Sequence, residues 1–314
     1  MKVAFVGKGG SGKTTLTSLI SRFLAYKHLP VVAIDADINQ HLSETLGMSP
    51  DSARDIPSLG LEMGRIKTYL KGNNLRIENA DSMIKTTPPG KGSRLLRVQE
   101  NNPLFEYFAR DINGIKLMAV GPFDADELGV KCYHSKTGSV ELLLNHLVDK
   151  EREYILVDMT AGADSFASGL FTRFDITFLV VEPTLKSVGV YTQYKQYAEK
   201  YDVVIKVIGN KVQDKVDVDF IKKHVGKDLS ALIYQSVFIK KADRGEVLPV
   251  SELETENKKS IEAVVRAIDA QKKDWIKFYR QAIKFHIKNA KSWANESFGK
   301  DLTSQIDPLF VFTP

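Results

Sequence analysis

A doubly wound α/β fold, with a mostly parallel sheet and a helical extension at its C-terminal end, is predicted by three observations. The chain opens with a short apolar run, Val3-Ala4-Phe5-Val6, followed by Leu16, Leu19, Ile20, Phe23 and Leu24 at helical spacing. Further runs, at Val31–Ile34, Ile115–Val120, Tyr154–Val157, Ile176–Val181 and Val203–Ile208, are continuously apolar or nearly so, as strands buried on both faces are. Two of them end in acids, Asp35 and Asp158, and strand C-termini face the ligand crevice of such a sheet.

The turn between the first strand and helix reads Gly7-Lys8-Gly9-Gly10-Ser11-Gly12-Lys13-Thr14-Thr15. Glycines here let backbone N–H groups converge on phosphate oxygens, and the helix N-terminus adds the positive end of its dipole. G-x-x-x-x-G-K-T between a strand and a helix is the P-loop pattern, so a nucleoside triphosphate site is expected over Gly9 to Thr15. Lys13 would reach the β and γ phosphates, and the Thr14 hydroxyl would ligand Mg²⁺.

Composition bounds the rest. At 314 residues the chain holds one large α/β domain, or one domain with an appendage. No run of eighteen apolar residues occurs, and Met1-Lys2-Val3 enters a core strand directly, so a cytoplasmic protein is expected. A single cysteine, Cys132, excludes an intrachain disulfide and cannot by itself hold an iron–sulfur cluster. A net charge of +5 is modest for the length.

With its additional lysine, Lys8, the loop resembles the deviant P-loop, K-G-G-x-G-K-T, of the MinD/ParA/nitrogenase-iron-protein ATPases. That resemblance implies ATP as the nucleotide and a homodimer in the ATP-bound state, with Lys8 crossing the interface to the partner's phosphates. It also implies roles for the Asp35-Ala36-Asp37 segment, whose two carboxylates lie at i and i+2 and so on one face of an extended chain. Asp35 would support the Mg²⁺ water shell and Asp37 would orient the attacking water. Asp158 resembles the Walker B acid that holds the Mg²⁺ shell, and Gly162, in Asp158-Met159-Thr160-Ala161-Gly162, resembles the switch II glycine whose amide reads the γ phosphate. Asn210 stands where relatives place an asparagine at the adenine edge, with Lys211 beside it in the nucleotide site. Ser236-Val237-Phe238 and Lys241 to Glu246 resemble the loop and helix that close over the base.

Within this class the chain is most similar to the CooC-type carbon monoxide dehydrogenase maturation ATPases. Val130-Lys131-Cys132-Tyr133-His134 precedes Thr137-Gly138-Ser139 and an expected amphipathic helix carrying Val140, Leu143, Leu144 and Leu147. In the CooC-type group a C-x-C pair occupies this place, and the pairs of two subunits bind one metal ion. C-x-H replaces it here, so two subunits would offer Cys132 and His134 twice, a sound set for Zn²⁺ and an acceptable one for Ni²⁺. The resemblance implies a Mg²⁺-dependent ATPase cycling between open and ATP-closed dimers, a CooC-like maturation factor for a metalloenzyme client.

The expected organisation is an ATPase domain over 1–270, with a switch-containing insertion at about 43–130, and a basic extension over 271–314. Lys85 to Gly92 reads as a loop inside the insertion. The extension carries eight Lys/Arg against four Asp/Glu. Lys273, Lys277, Arg280, Lys284, Lys288 and Lys291 share one helical face, opposite a stripe of Trp275, Tyr279, Ala282, Ala290 and Trp293. Such a helix either docks its apolar face on its own domain or holds DNA or an anionic membrane through residues 271–293. The second use would make the chain a positioning ATPase like ParA or MinD. A nucleotide-dependent interaction switch with little turnover is the third reading.

Overall fold

The computed structural model describes residues 1–122, 133–159 and 169–313, with only the backbone for 133–135. Among the described residues ten strands form: β1 (Lys2–Gly7), β2 (Val31–Ala36), β3 (Leu96–Arg97), β4 (Arg110–Ile112), β5 (Ile115–Ala119), β6 (Leu147–Val148), β7 (Tyr154–Met159), β8 (Ile176–Val181), β9 (Ile205–Val212) and β10 (Leu229–Tyr234). The helices are α1 (Lys13–Tyr26), α2 (Leu42–Thr45), α3 (Pro50–Arg54), α4 (Met63–Lys71), α5 (Pro103–Phe108), α6 (Tyr133–His146), α7 (Leu185–Glu199), α8 (Lys215–Val225), α9 (Val237–Ala242), α10 (Thr255–Asp269), α11 (Trp275–Asn289) and α12 (Asn295–Phe298).

Eight strands make one sheet in the order β10-β9-β8-β1-β7-β2-β5-β4. Every pairing is parallel except that of β4 with β5. The predicted doubly wound sheet is therefore observed. Its one antiparallel edge follows from Asn113 and Gly114, both at positive φ (51° and 85°), which close a two-residue hairpin of the kind such dipeptides favour. Alternate residues of β1 feed two cores: Ala4 and Val6 pack with α4, α6, α7 and α8 on one face, Val3 and Phe5 with α1 and α10 on the other. Burial on both faces is what the continuous apolar runs encode. Local signals start the helices: Asn102, Thr184, Asp214 and Asp274 each accept a bond from the backbone N–H three residues on, capping α5, α7, α8 and α11.

Three expectations are corrected. The helix expected from Val140 to Leu147 starts at Tyr133 and ends at His146, and it is buried all round from Lys136 onward rather than amphipathic, because it is covered by the segments around Leu59 and Lys85 on one side and residues 169–173 on the other. β9 runs on to Val212, so Asn210 and Lys211 lie within a strand, held there by the pairing of Tyr234 with Val212. The buried stripe of α11 is Phe278, Tyr279, Ala282, Phe285 and His286, while Trp275 is half-buried and Trp293 is exposed. A π-helical turn at Ala290–Ala294 shifts the helical phase and carries Trp293 away from the stripe.

That stripe docks on the body of the molecule. Phe278 packs with Val148, Tyr279 and Phe312, and it receives the ammonium of Lys2 and the guanidinium of buried Arg173 over its ring at 4.5 and 4.4 Å. Arg173 Nη1 donates to Asn145 Oδ1 (3.0 Å) and to Phe278 O (3.2 Å). Lys273, placed by periodicity on the basic face, is instead mostly covered and paired with Asp149 (2.9 Å) and Asp175 (2.5 Å). Residues 85–92 lack regular structure, as expected, yet Thr86 and Thr87 are fully buried beneath the extension. Thr87 donates to Gln305 Oε1 (3.0 Å), and the Lys91 amide donates to Asp307 (2.9 Å). Among the described residues no helix is long and apolar enough to cross a membrane.

Candidate functional site

The sheet brings the C-terminal ends of β1, β7 and β2 side by side. β1 pairs with β7 and β7 with β2, with Asp158 directly opposite Asp35 in the parallel register. Beyond these ends lies a cavity of about 780 Å³, lined by the loop after β1, by residues 37–41 and by residues from β9, β10 and α9. Its volume is ample for a nucleotide.

Gly9, Gly10, Gly12, Lys13, Thr14 and Thr15 all border the cavity. Gly10 and Gly12 have positive φ (80° and 92°), a conformation that glycine adopts without strain. Gly12 caps α1, so the unpaired amides of the first helical turn sit at the cavity wall. Ser11 is buried, and its amide closes the turn on Lys8 O (3.1 Å). Lys8, Gly9 and Gly10 are exposed.

Four charged groups and one hydroxyl converge on the floor. Lys13 Nζ lies 3.4 Å from Asp37 Oδ2, both largely buried. The Thr14 hydroxyl donates to Asp158 Oδ2 at 2.5 Å. Asp35 is fully enclosed and accepts the amides of Asp37 (3.2 Å) and Leu42 (2.9 Å), so it ties down both ends of the loop after β2. Burial pushes the Asp35 carboxyl up to about 7, against the two amide bonds that favour its ionised form. Burial, and then the neighbouring Asp35, also push Asp158 well above the usual carboxylate range. Two adjacent carboxylates, Asp35 and Asp158, whose charged forms are disfavoured by burial and then by neighbouring acids make a site that a cation would relieve.

The fit to Mg²⁺ rests on Asp158 Oδ1, which is buried with no hydrogen-bond partner among the described residues, on the carboxylate beside the Thr14 hydroxyl. Among the described residues no group of three His, Cys, Asp or Glu could hold a metal by itself. An oxygen-lined site that leaves most coordination positions to phosphates and water suits Mg²⁺.

Asn210 and Lys211 reach the same place from β9 but face the loop. Asn210 Nδ2 donates to Ser11 O (2.7 Å), and Lys211 Nζ donates to Gly10 O (2.7 Å) and Glu182 Oε1 (2.6 Å). The bond to Ser11 O uses one of the two Nδ2 hydrogens, so a base-reading role for Asn210 would draw on the other hydrogen and on Oδ1. Sequence reasoning gave no site role to Glu182 or to Asp243, whose carboxylate accepts from the Thr15 hydroxyl (3.2 Å). Neither carries a local signal, because each is brought in by a different strand or helix. Ser236 caps α9 by accepting from the Ile239 amide (2.9 Å), at the cavity rim.

Cys132 and Gly162 lie outside the described residues, and so does the side chain of His134, whose backbone falls in the first turn of α6.

A protein-family model described as "CobQ/CobB/MinD/ParA nucleotide binding domain" matches residues 3–289. The carbon monoxide dehydrogenase accessory protein CooC of Rhodospirillum rubrum is 30% identical over 224 residues, 70% of this chain and 78% of that protein. Among solved structures, a ParA family ATPase from Chlorobium tepidum superposes with a TM-score of 0.58 at 16% identity, covering 84% of this chain and 98% of that one. The septum site-determining protein MinD complexed with Mg-ADP, from Pyrococcus horikoshii, gives 0.54 at 16% identity, covering 86% and 97%.

Proposed function

This chain belongs to the CobQ/CobB/MinD/ParA family of P-loop ATPases, and on that premise we propose that it is a Mg²⁺-dependent ATPase that cycles between an open state and an ATP-closed dimer in the maturation of a metalloenzyme. The observation that carries the hydrolytic part is the convergence of Lys13, Thr14, Asp37 and Asp158 at adjacent strand ends beside the P-loop. The client class is supported by the 30% identity with the carbon monoxide dehydrogenase accessory protein across most of both chains.

Phosphoryl transfer asks for positioning and charge neutralisation more than covalent chemistry. Amides of the loop and of the first turn of α1 receive the phosphates. Lys13 exchanges its contact with Asp37 for the β and γ phosphates, which frees Asp37 to hold the attacking water. Thr14, with Asp158 and Asp35 behind it, would hold Mg²⁺, which would supply the remaining neutralisation of developing charge. Lys8, exposed on the loop, serves a second subunit's phosphates. Cys132 and His134 of two subunits would then hold a cargo metal ion of the Zn²⁺ or Ni²⁺ type, more tightly when ATP closes the dimer.

Metal titration with and without ATP tests this reading. Wild type is expected to bind one ion per dimer, tighter with ATP by linkage, and Cys132→Ser and His134→Ala to lose it. Equal binding by all three proteins would remove the metal cargo from the function. The docking of α11 through its apolar stripe supports a structural use of the extension over a DNA-binding or membrane-binding one.

A further inference from the structure

We propose that Glu182 and Lys211 form a positioning brace that holds the P-loop in its phosphate-binding shape before nucleotide arrives. This rests on the P-loop ATPase assignment alone and not on the client.

A loop that offers its amides to phosphate must turn its carbonyls the other way, and those carbonyls need donors. In a planar trans peptide the C=O and the following N–H point to opposite sides, so fixing one fixes the other. Lys211 donates to Gly10 O (2.7 Å), which sets the Ser11 amide, and that amide closes the turn on Lys8 O (3.1 Å). Asn210 donates to Ser11 O (2.7 Å), which sets the Gly12 amide. Among the described residues, a Cβ placed on Gly9 or Gly10 would meet nothing within 4 Å, so none of them packs over the loop on that side. Gly12, by contrast, has no room for a Cβ, because Asn210 Nδ2 stands in that space.

Lys211 is aimed by its own surroundings. Its backbone is left-handed (φ 59°), a conformation unusual for lysine and for a strand, and one that marks a constrained position. Glu182, leaving β8 with its side chain mostly covered, fixes the ammonium at 2.6 Å. β8 neighbours β1, which leads into the P-loop. The brace therefore joins the ends of β8 and β9, successive strands on one side of β1, to a carbonyl of the loop. In this role Lys211 and Glu182 are positioning residues, and the ammonium adds positive potential behind the phosphates.

The test measures nucleotide affinity by equilibrium fluorescence, with turnover alongside, for ATP and GTP. Lys211→Asn keeps a residue that tolerates the left-handed backbone but removes the reach. It is expected to weaken both nucleotides equally, by about tenfold, and to lower kcat, with unchanged thermal stability. Glu182→Gln should give a smaller loss in the same direction. The double variant should be no worse than Lys211→Asn, since both changes disable one device, and Lys211→Arg should restore most of the affinity. Two results overturn the proposal: a loss confined to ATP with GTP untouched, which would make β9 a base reader only, or unchanged affinity and kcat, which would leave a surface ion pair. Affinity is read without turnover, so failure of the ATPase reading remains distinguishable from failure of the brace.

Discussion

Lys13 Nζ sits 3.4 Å from Asp37 Oδ2, both mostly shielded from water, so the lysine meant for phosphate is paired with an acid of the same site. Nucleotide must compete with that carboxylate for the ammonium. Asp37→Asn removes the competitor and, on the proposed mechanism, the water-orienting group together. ATP affinity is expected to be unchanged or tighter while turnover drops by about a hundredfold or more, the scale of a lost proton-transfer or water-positioning group. Binding and single-turnover measurements on the same variant check it, and weakened binding would show that Asp37 organises the site instead.

Burial of Asp35 makes stability pH-dependent. Its folded-state carboxyl is raised from 3.8 to about 7, so between these values the native state binds more protons than the unfolded one. Stability from this group therefore falls as pH rises through that window, by up to about 4 kcal/mol at 1.36 kcal/mol per unit. The buried histidines His146 and His286, whose pKa values burial lowers, act in the opposite sense over an overlapping range. The informative quantity is thus the difference between wild type and Asp35→Asn. The variant should gain on wild type between about pH 4 and 7 in denaturant unfolding and then level off, and a pH-independent difference would sink the assignment.

Phe278 links the extension to the body of the protein, stacked beneath Lys2 and Arg173 and packed with Phe312. Phe278→Ala should cost about 3–5 kcal/mol, the range for a buried aromatic that leaves a cavity. The midpoint of urea unfolding reports it. A cost below about 1 kcal/mol would mean that α11 adds little to the stability of the fold.

The exposed loop lysine makes a prediction about assembly. Lys8→Ala is expected to keep nucleotide affinity within about twofold, since Lys13 and the loop amides remain, but to lose turnover and ATP-dependent dimers. Light scattering with a slowly hydrolysed ATP analogue reads this directly. A dimer that persists in the variant with normal turnover confines each active site to one subunit.

What the sequence determined by itself was whatever is written in local spacing. The P-loop glycines, Lys13, Thr14 and the acids at the ends of β2 and β7 could be placed because a tight phosphate-binding turn and a strand buried on both faces each impose a pattern over a few consecutive residues. The Asn113-Gly114 hairpin signal was there too, and it marks β4, which went unassigned within the insertion. Only the tertiary structure decided the rest. Lys273 looks like a surface cation by periodicity but is mostly covered, because Asp149 and Asp175 arrive from distant segments to neutralise it. The stretch from Lys85 to Gly92 reads as loop, and its burial depends on Gln305 and Asp307 satisfying its polar groups from more than two hundred residues away. Asn210 and Lys211 carry the same letters whether they face a base or the P-loop, and the choice came from β9 running on to Val212 and from Glu182 at the end of β8. Periodicity reports which face of an element is apolar, whereas partners for buried charges and carbonyls are set by contacts between remote parts of the chain, and no local pattern records them.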